Sequence, residues 1–322
     1  NIDPAYPERS FSISETLALG TNESWLAYLS SEKVVEALIE SRGDWSNYVK
    51  SAVIHAQFKT NYTLCGMDMV STGNIPVAAG LSSSSAIVVA VMEALVALNC
   101  LNLTEQEFIG LCGEGEWFVG SRGGAGDHAA MKCGQKDAIV HLGFKPFTVG
   151  ETQKFSDKYA VLVANSMLMA KKSEGSKDTF NAKVACYEFA LMLLKKNYPS
   201  YDLKEFRDLA KIRPYSRVYE MIASLPETVT RGGIKFMIPE YKERLEEIFS
   251  NHKDPQVYEL RNVALYGISE CERAEKFMSV LKSEDYVALG NMMKISHDGD
   301  RLGVESVSDA DLDELIANNT PF

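Results

Sequence analysis

Between Pro76 and Leu98 the chain passes from a glycine- and serine-rich loop, PVAAGLSSSSA, directly into an apolar run, and this junction constrains the local fold more than any other segment. Ala86 to Leu98 carries a single charged residue, Glu93, and is too short to span a bilayer, so it has to be a helix packed against protein. Cys65 to Asn74 (CGMDMVSTGN) is a β-prone run ending in turn chemistry, which gives the order strand, tight loop, helix. Unpaired N–H groups and the positive dipole end at such a helix start bind phosphate. Glycine lets the backbone approach, and serine hydroxyls add donors or a magnesium ligand. For a bare serine-rich turn the alternative is an ordinary serine N-cap with small neighbours. The loop is not a Walker A sequence, because G-x-x-x-x-G-K is absent.

The bulk properties narrow the setting. At 322 residues and 46% apolar, the chain can bury a large core, and two domains are expected. A net charge of −11 with no dense Lys/Arg cluster argues against nucleic acid or an anionic membrane as partner. The six cysteines are scattered without CxxC or CxxxH spacing, so isolated thiols are expected rather than zinc or a redox pair. No signal-like segment opens the chain, so a cytoplasmic protein is expected, in which Asn61-Tyr62-Thr63 is not a glycosylation site. The start at Asn1 and the stop at Phe322, just after a helix-like stretch, suggest a fragment trimmed at both ends.

Periodicity gives the remaining elements. Phe11 to Leu19 alternates like a half-buried strand, and Trp25 to Arg42 has helical spacing ending at Gly43-Asp44. Asp44 to Phe58 reads as a helix with an acidic N-cap, which sets Trp45 and Tyr48 one turn apart. Thr104 with Glu107 forms a T-x-x-E capping box for a helix running to about Val119. A glycine-rich loop, SRGGAGD, follows. Ala160 to Asn165 (AVLVAN) reads as a buried strand, Asp178 to Lys196 as a long helix, and Leu203 to Leu315 as mostly helical.

Four of these segments together resemble the GHMP kinases, and their spacing resembles the galactokinase branch. PVAAGLSSSSA is similar to the family pattern P-x-x-x-G-L-S-S-S-A up to its last place, where a fourth serine precedes Ala86. Trp45 to Lys50 (WSNYVK) resembles the galactokinase W-x-N-Y-V-K helix, whose Trp and Tyr line the adenine pocket. Glu116, eleven residues before Asp127, stands where the family's magnesium glutamate stands. Gly123 to His128 (GGAGDH) resembles the G-x-M-D-Q loop, with Gly126 in place of Met and His128 in place of Gln.

The resemblance implies an α+β, two-domain fold, with a ribosomal-protein-S5-like half over residues 1–158 and a ferredoxin-like half with extra helices over 159–322. It implies ATP on Trp45, Tyr48, Gly80, Leu81, Ser82, Ser83, Ser84 and Ser85. Mg2+ would sit at Ser84 and Glu116, and a sugar at Gly124, Asp127 and Phe180. Asp127 would act on the anomeric hydroxyl, as a base or as an orienting charge. Phe180 takes the place of a family tyrosine, as in the N-acetylgalactosamine kinase relative.

His128 is given no role, because a loop histidine is more often structural than one half of a dyad. Asn165-Ser166 resembles the segment after the family's central strand, and Ser296 to Arg301 resembles a family helix start, with a helix-terminal polar cluster as the plainer reading. The family's G-R-x-N-L-I-G-E-H-x-D-Y and G-A-G-x-G-G motifs have no counterpart here, and loss of activity in this fragment is an expected consequence. The implied function is a monomeric, MgATP-dependent sugar 1-kinase for galactose or a relative. A non-catalytic sugar and ATP sensor on the same scaffold is the alternative, and a GHMP kinase for another small alcohol is disfavoured by the W-x-N-Y-V-K helix.

Overall fold

The computed structural model describes residues 6–60, 62–120, 122–144, 147–165, 167, 176–299 and 307–321. Asn1, Asn61, Ser166, Asp300, Arg301 and Phe322 lie outside the described residues. The chain forms two compact units, Asn1–Glu174 and Gly175–Phe322.

The first unit opens with α1 (Ile13–Leu17), α2 (Trp25–Ser30) and α3 (Glu32–Glu40). The expected strand over Phe11 to Leu19 is therefore a helix. Ser12 accepts a hydrogen bond from the Glu15 amide, and Ile13 and Leu17, four apart, share a face that an alternating pattern equally allows. The expected single helix from Trp25 breaks at Ser31, which ends α2 and starts α3 with an extended backbone.

α4 (Ser46–Lys59), α5 (Ser83–Leu98), α6 (Glu105–Gly115) and α7 (Gly126–Cys133) pack on one another and form the main body of the unit. A 3-10 turn, Glu116–Val119, extends α6. Val88, Val91, Met92 and Leu95 follow helical spacing on α5 and meet Ala52, Val53 and Ala56 of α4 and Phe108, Ile109 and Cys112 of α6 in one buried cluster. Glu93 points outward to Lys132 of α7. The Thr104–Glu107 capping box is formed in both directions. A second cluster, Trp25, Tyr28, Leu29, Val34, Ile54 and Phe118, seats the first helices, with the Trp25 indole donating to the Glu114 carbonyl at 2.8 Å.

β1 (Ala138–Gly143) and β2 (Thr148–Lys154) form an antiparallel hairpin with an irregularity between Val140 and Leu142. Its alternation was not read from the sequence, because β2 is mostly exposed and largely polar. Two expected strands are not strands. From Cys65 to Asn74 no ladder forms, and the Cys65 amide instead donates to the Asn99 side chain at 2.6 Å. Ala160 to Asn165 belongs to no strand among the described residues, with Val161, Leu162 and Val163 at least 69% exposed. Apolar composition makes a segment β-prone, but a strand needs a neighbour to take its hydrogen bonds.

The second unit is helical among the described residues: α8 (Ser176–Asn197), α9 (Tyr215–Ala223), α10 (Arg231–Met237), α11 (Lys242–Ser250), α12 (Leu260–Lys282), α13 (Tyr286–Gly299) and α14 (Asp309–Asn318). α12 packs on α8, α9 and α13, and α9 on α14. Its core includes Phe189, Leu193, Leu194, Met221, Ile222, Ile234, Leu245 and Ile268. Ser296 to Gly299 is the last described stretch of α13, with the Ser296 hydroxyl on Glu270 at 2.7 Å, so the segment is not a helix start. Among the described residues, no helix is long and apolar enough to cross a membrane. All six cysteines are free thiols.

Candidate active site

The loop before α5 takes its shape from backbone geometry that few residues tolerate. Gly80 has φ +74 and Ser82 has φ +55, both left-handed. Ser82 is the N-cap of α5, yet its hydroxyl makes no cap bond. The hydroxyl instead donates to Oδ2 of Asp127 at 2.7 Å. The first amides of α5 are therefore not capped by Ser82, the arrangement in which a helix start receives an anion. Leu81 is 40% exposed on this loop, and Ser83 and Ser84 are half-buried.

The second loop is held against α6 by close approach. A Cβ on Gly113 would stand 2.6 Å from the Ala125 Cβ, so only glycine lets the loop lie there. The Trp117 indole donates to the Gly123 carbonyl at 2.9 Å, and the Arg122 guanidinium lies 5.4 Å from the Trp117 ring centre. This packing carries Gly124 and Asp127, both exposed, to the mouth of the phosphate loop. Asp127 lies in the first turn of α7, where a negative charge is favourable.

Glu116 is buried at the end of α6. Its Oε2 accepts from the Ser85 hydroxyl at 2.7 Å and lies 2.9 Å from His128 Nε2. The serine on Glu116 is thus Ser85, whereas Ser84, the expected metal partner, shares a hydrogen bond with Tyr48. Burial and the nearby Glu116 charge push the Tyr48 phenol up, against the pull of the Ser84 hydrogen bond. Trp45 caps the start of α4, its indole 3.3 Å from the Pro7 carbonyl, and both aromatics lie half-buried against the main cluster. Phe180 belongs to the second unit, on α8, and is 44% exposed.

Among the described residues no group of three or more His, Cys, Asp or Glu side chains could hold a metal by itself. Glu116 and the serine hydroxyls are hard oxygen donors, too few for a closed cage, which suits a Mg2+ ion that keeps water and nucleotide oxygens. Sequence reasoning missed the Ser82–Asp127 and Ser85–Glu116 contacts and the burial of His128. For His128 the available signal was its place beside an apolar Ala129, two residues after Gly126.

Known proteins are similar to this chain over the segment that carries these residues. The family model described as the GHMP kinases N terminal domain matches residues 47–135, from α4 through α7. Galactokinase of Saccharomyces cerevisiae is 29% identical over 49% of this chain and 33% of its own length. Galactokinase of Actinobacillus pleuropneumoniae is 26% identical over 86% of this chain and 61% of its own, and that of Glaesserella parasuis 25% identical over 97% and 69%. The chain therefore spans between 33% and 69% of the length of these relatives. The crystal structure of Lactococcus lactis galactokinase complexed with galactose superposes with a TM-score of 0.50 at 18% identity, covering 79% of this chain and 56% of that one, and the likeness shows an α+β fold in common. Taken with the spacing of the loop, Glu116 and Asp127, these matches make residues 47–135 similar to the GHMP kinase N-terminal domain and the chain similar to galactokinases.

Proposed function

We propose that the protein is an ATP-dependent sugar 1-kinase acting in the cytoplasm, with galactose or a close relative as acceptor. The observation that carries the reading is the 2.7 Å contact between Ser82 of the phosphate loop and Asp127. A donor-phosphate loop and an acceptor carboxylate in direct contact leave a γ-phosphate and a sugar hydroxyl within reach of each other, as in-line phosphoryl transfer requires.

In this reading the amides from Gly80 to Ser85 and the hydroxyls of Ser82, Ser83 and Ser84 hold the phosphates, and Trp45 and Tyr48 flank the adenine. Asp127 accepts a hydrogen bond from the anomeric hydroxyl and takes its proton as the new P–O bond forms, or orients that hydroxyl by its charge. Gly124 lets the sugar ring approach the backbone. Glu116 and Ser84 would hold Mg2+, which when bound would neutralise charge on the phosphate oxygens. The first domain carries the nucleotide site.

The test incubates the full-length protein with ATP, Mg2+ and a panel of sugars, galactose, N-acetylgalactosamine and acidic galactose included, and identifies the phosphorylated carbon by NMR. Phosphorylation at carbon 1 is expected. Asp127→Ala should lower turnover by roughly a hundredfold or more while ATP still binds. Binding of ATP and sugar without turnover in the unaltered protein would make it a sensor instead.

A further inference from the structure

Two of the family departures near the reacting groups converge on one atom. Ser85 stands where the family's phosphate loop has alanine, and His128 where the second loop has glutamine. Both side chains are 2% exposed, and both reach Oε2 of Glu116, Ser85 by a hydrogen bond of 2.7 Å and His128 Nε2 at 2.9 Å. Nε2 stands off the line of a ring N–H bond, and neither imidazole nitrogen has a hydrogen-bond partner among the described residues. An unpaired ring in the interior is costly, so packing by itself does not account for a histidine there.

We propose that Ser85 and His128 are a positioning pair that fixes the rotation of the Glu116 carboxylate, and with it the direction in which that group meets a divalent cation at the phosphate loop. The inference rests on the reading of Glu116 as the metal carboxylate. Groups that hold a ligating carboxylate set its orientation, and losing one typically costs about 10–100-fold in metal affinity. Two groups on a single oxygen share that task, so their contributions are not independent. Glutamine at His128 keeps an N–H donor of similar reach and should preserve it.

The test titrates Mn2+ against the protein saturated with ADP and reads free Mn2+ by electron paramagnetic resonance. Ser85→Ala and His128→Leu are each expected to weaken Mn2+ binding by about tenfold, and the double variant by less than the product of the two losses. His128→Gln should stay within about twofold of the unaltered protein. ADP affinity in EDTA, followed by tryptophan fluorescence, should hold in every variant, which separates a turned carboxylate from a collapsed loop. Unchanged Mn2+ affinity in Ser85→Ala and His128→Leu, with Glu116→Ala losing it, would overturn the pair and leave the metal reading standing. Mn2+ binding that survives Glu116→Ala would overturn the metal reading and the pair with it. Should His128→Leu fail to fold, Ser85→Ala decides, since it removes one hydroxyl from a helix.

Discussion

His55 shows how strongly surroundings set the chemistry of one side chain. It lies in α4 with 1% of its surface exposed, its ring centre 4.5 Å from that of Trp25 and its Nδ1 2.9 Å from the Leu111 carbonyl, to which Nδ1–H donates. Burial pushes its pKa down to about 4, Leu111 opposes that fall and Lys59 adds to it. The unfolded chain takes up this proton near pH ~6.5, whereas the folded protein resists it until about 4, so stability is lost as pH falls between those values. The loss should reach on the order of 3 kcal/mol once both states are protonated. Urea midpoints measured from pH 7 to 5 should therefore decline, and His55→Gln should flatten that decline; an equal slope in the variant would remove His55 as its source. Nothing in the sequence sets His55 apart from His128 or His252. The choice of Ser85 for Glu116 was hidden for a similar reason, since four adjacent serines look alike until the helix fixes which way each hydroxyl points.

At the scale of elements, legibility followed the range of the interactions that make them. The helices after Asp44, Ser82 and Thr104 and the long helix over residues 178–196 carry their signals within a turn or two, and each is present. The capping box at Thr104 is the clearest of them, with both reciprocal bonds made. Thr104→Ala should cost about 1 kcal/mol of stability, read as a lower denaturant midpoint with an unchanged slope. No change would mean that α6 is held wholly by its packing on α4. Strands fared worse: residues 65–74 and 160–165 have the composition of strands without a partner, while β2 has a partner without the composition. In each case the deciding term, a ladder of hydrogen bonds to another segment, lies outside the window that was read.

At the scale of the whole molecule, each unit has its own apolar core, one around Met92 and Leu95 and the other around Leu194 and Ile222. Met92→Ala and Leu194→Ala should each cost about 2–5 kcal/mol, because both side chains are fully buried. Hydrogen exchange should place each loss among the amides of its own unit, and a loss spread evenly over both units would count against separate cores. By itself the sequence determined the glycine- and serine-rich loop and the helix after it, the capped helices, the acidic and hydroxyl chemistry available, and the family that these resemble. Only the tertiary structure decided that Ser82 meets Asp127 across 45 residues and Ser85 meets Glu116 across 31. The physical reason is that local sequence fixes dihedral angles and helix faces, whereas contacts between distant residues exist only once α4, α5, α6 and α7 have buried their shared apolar surface.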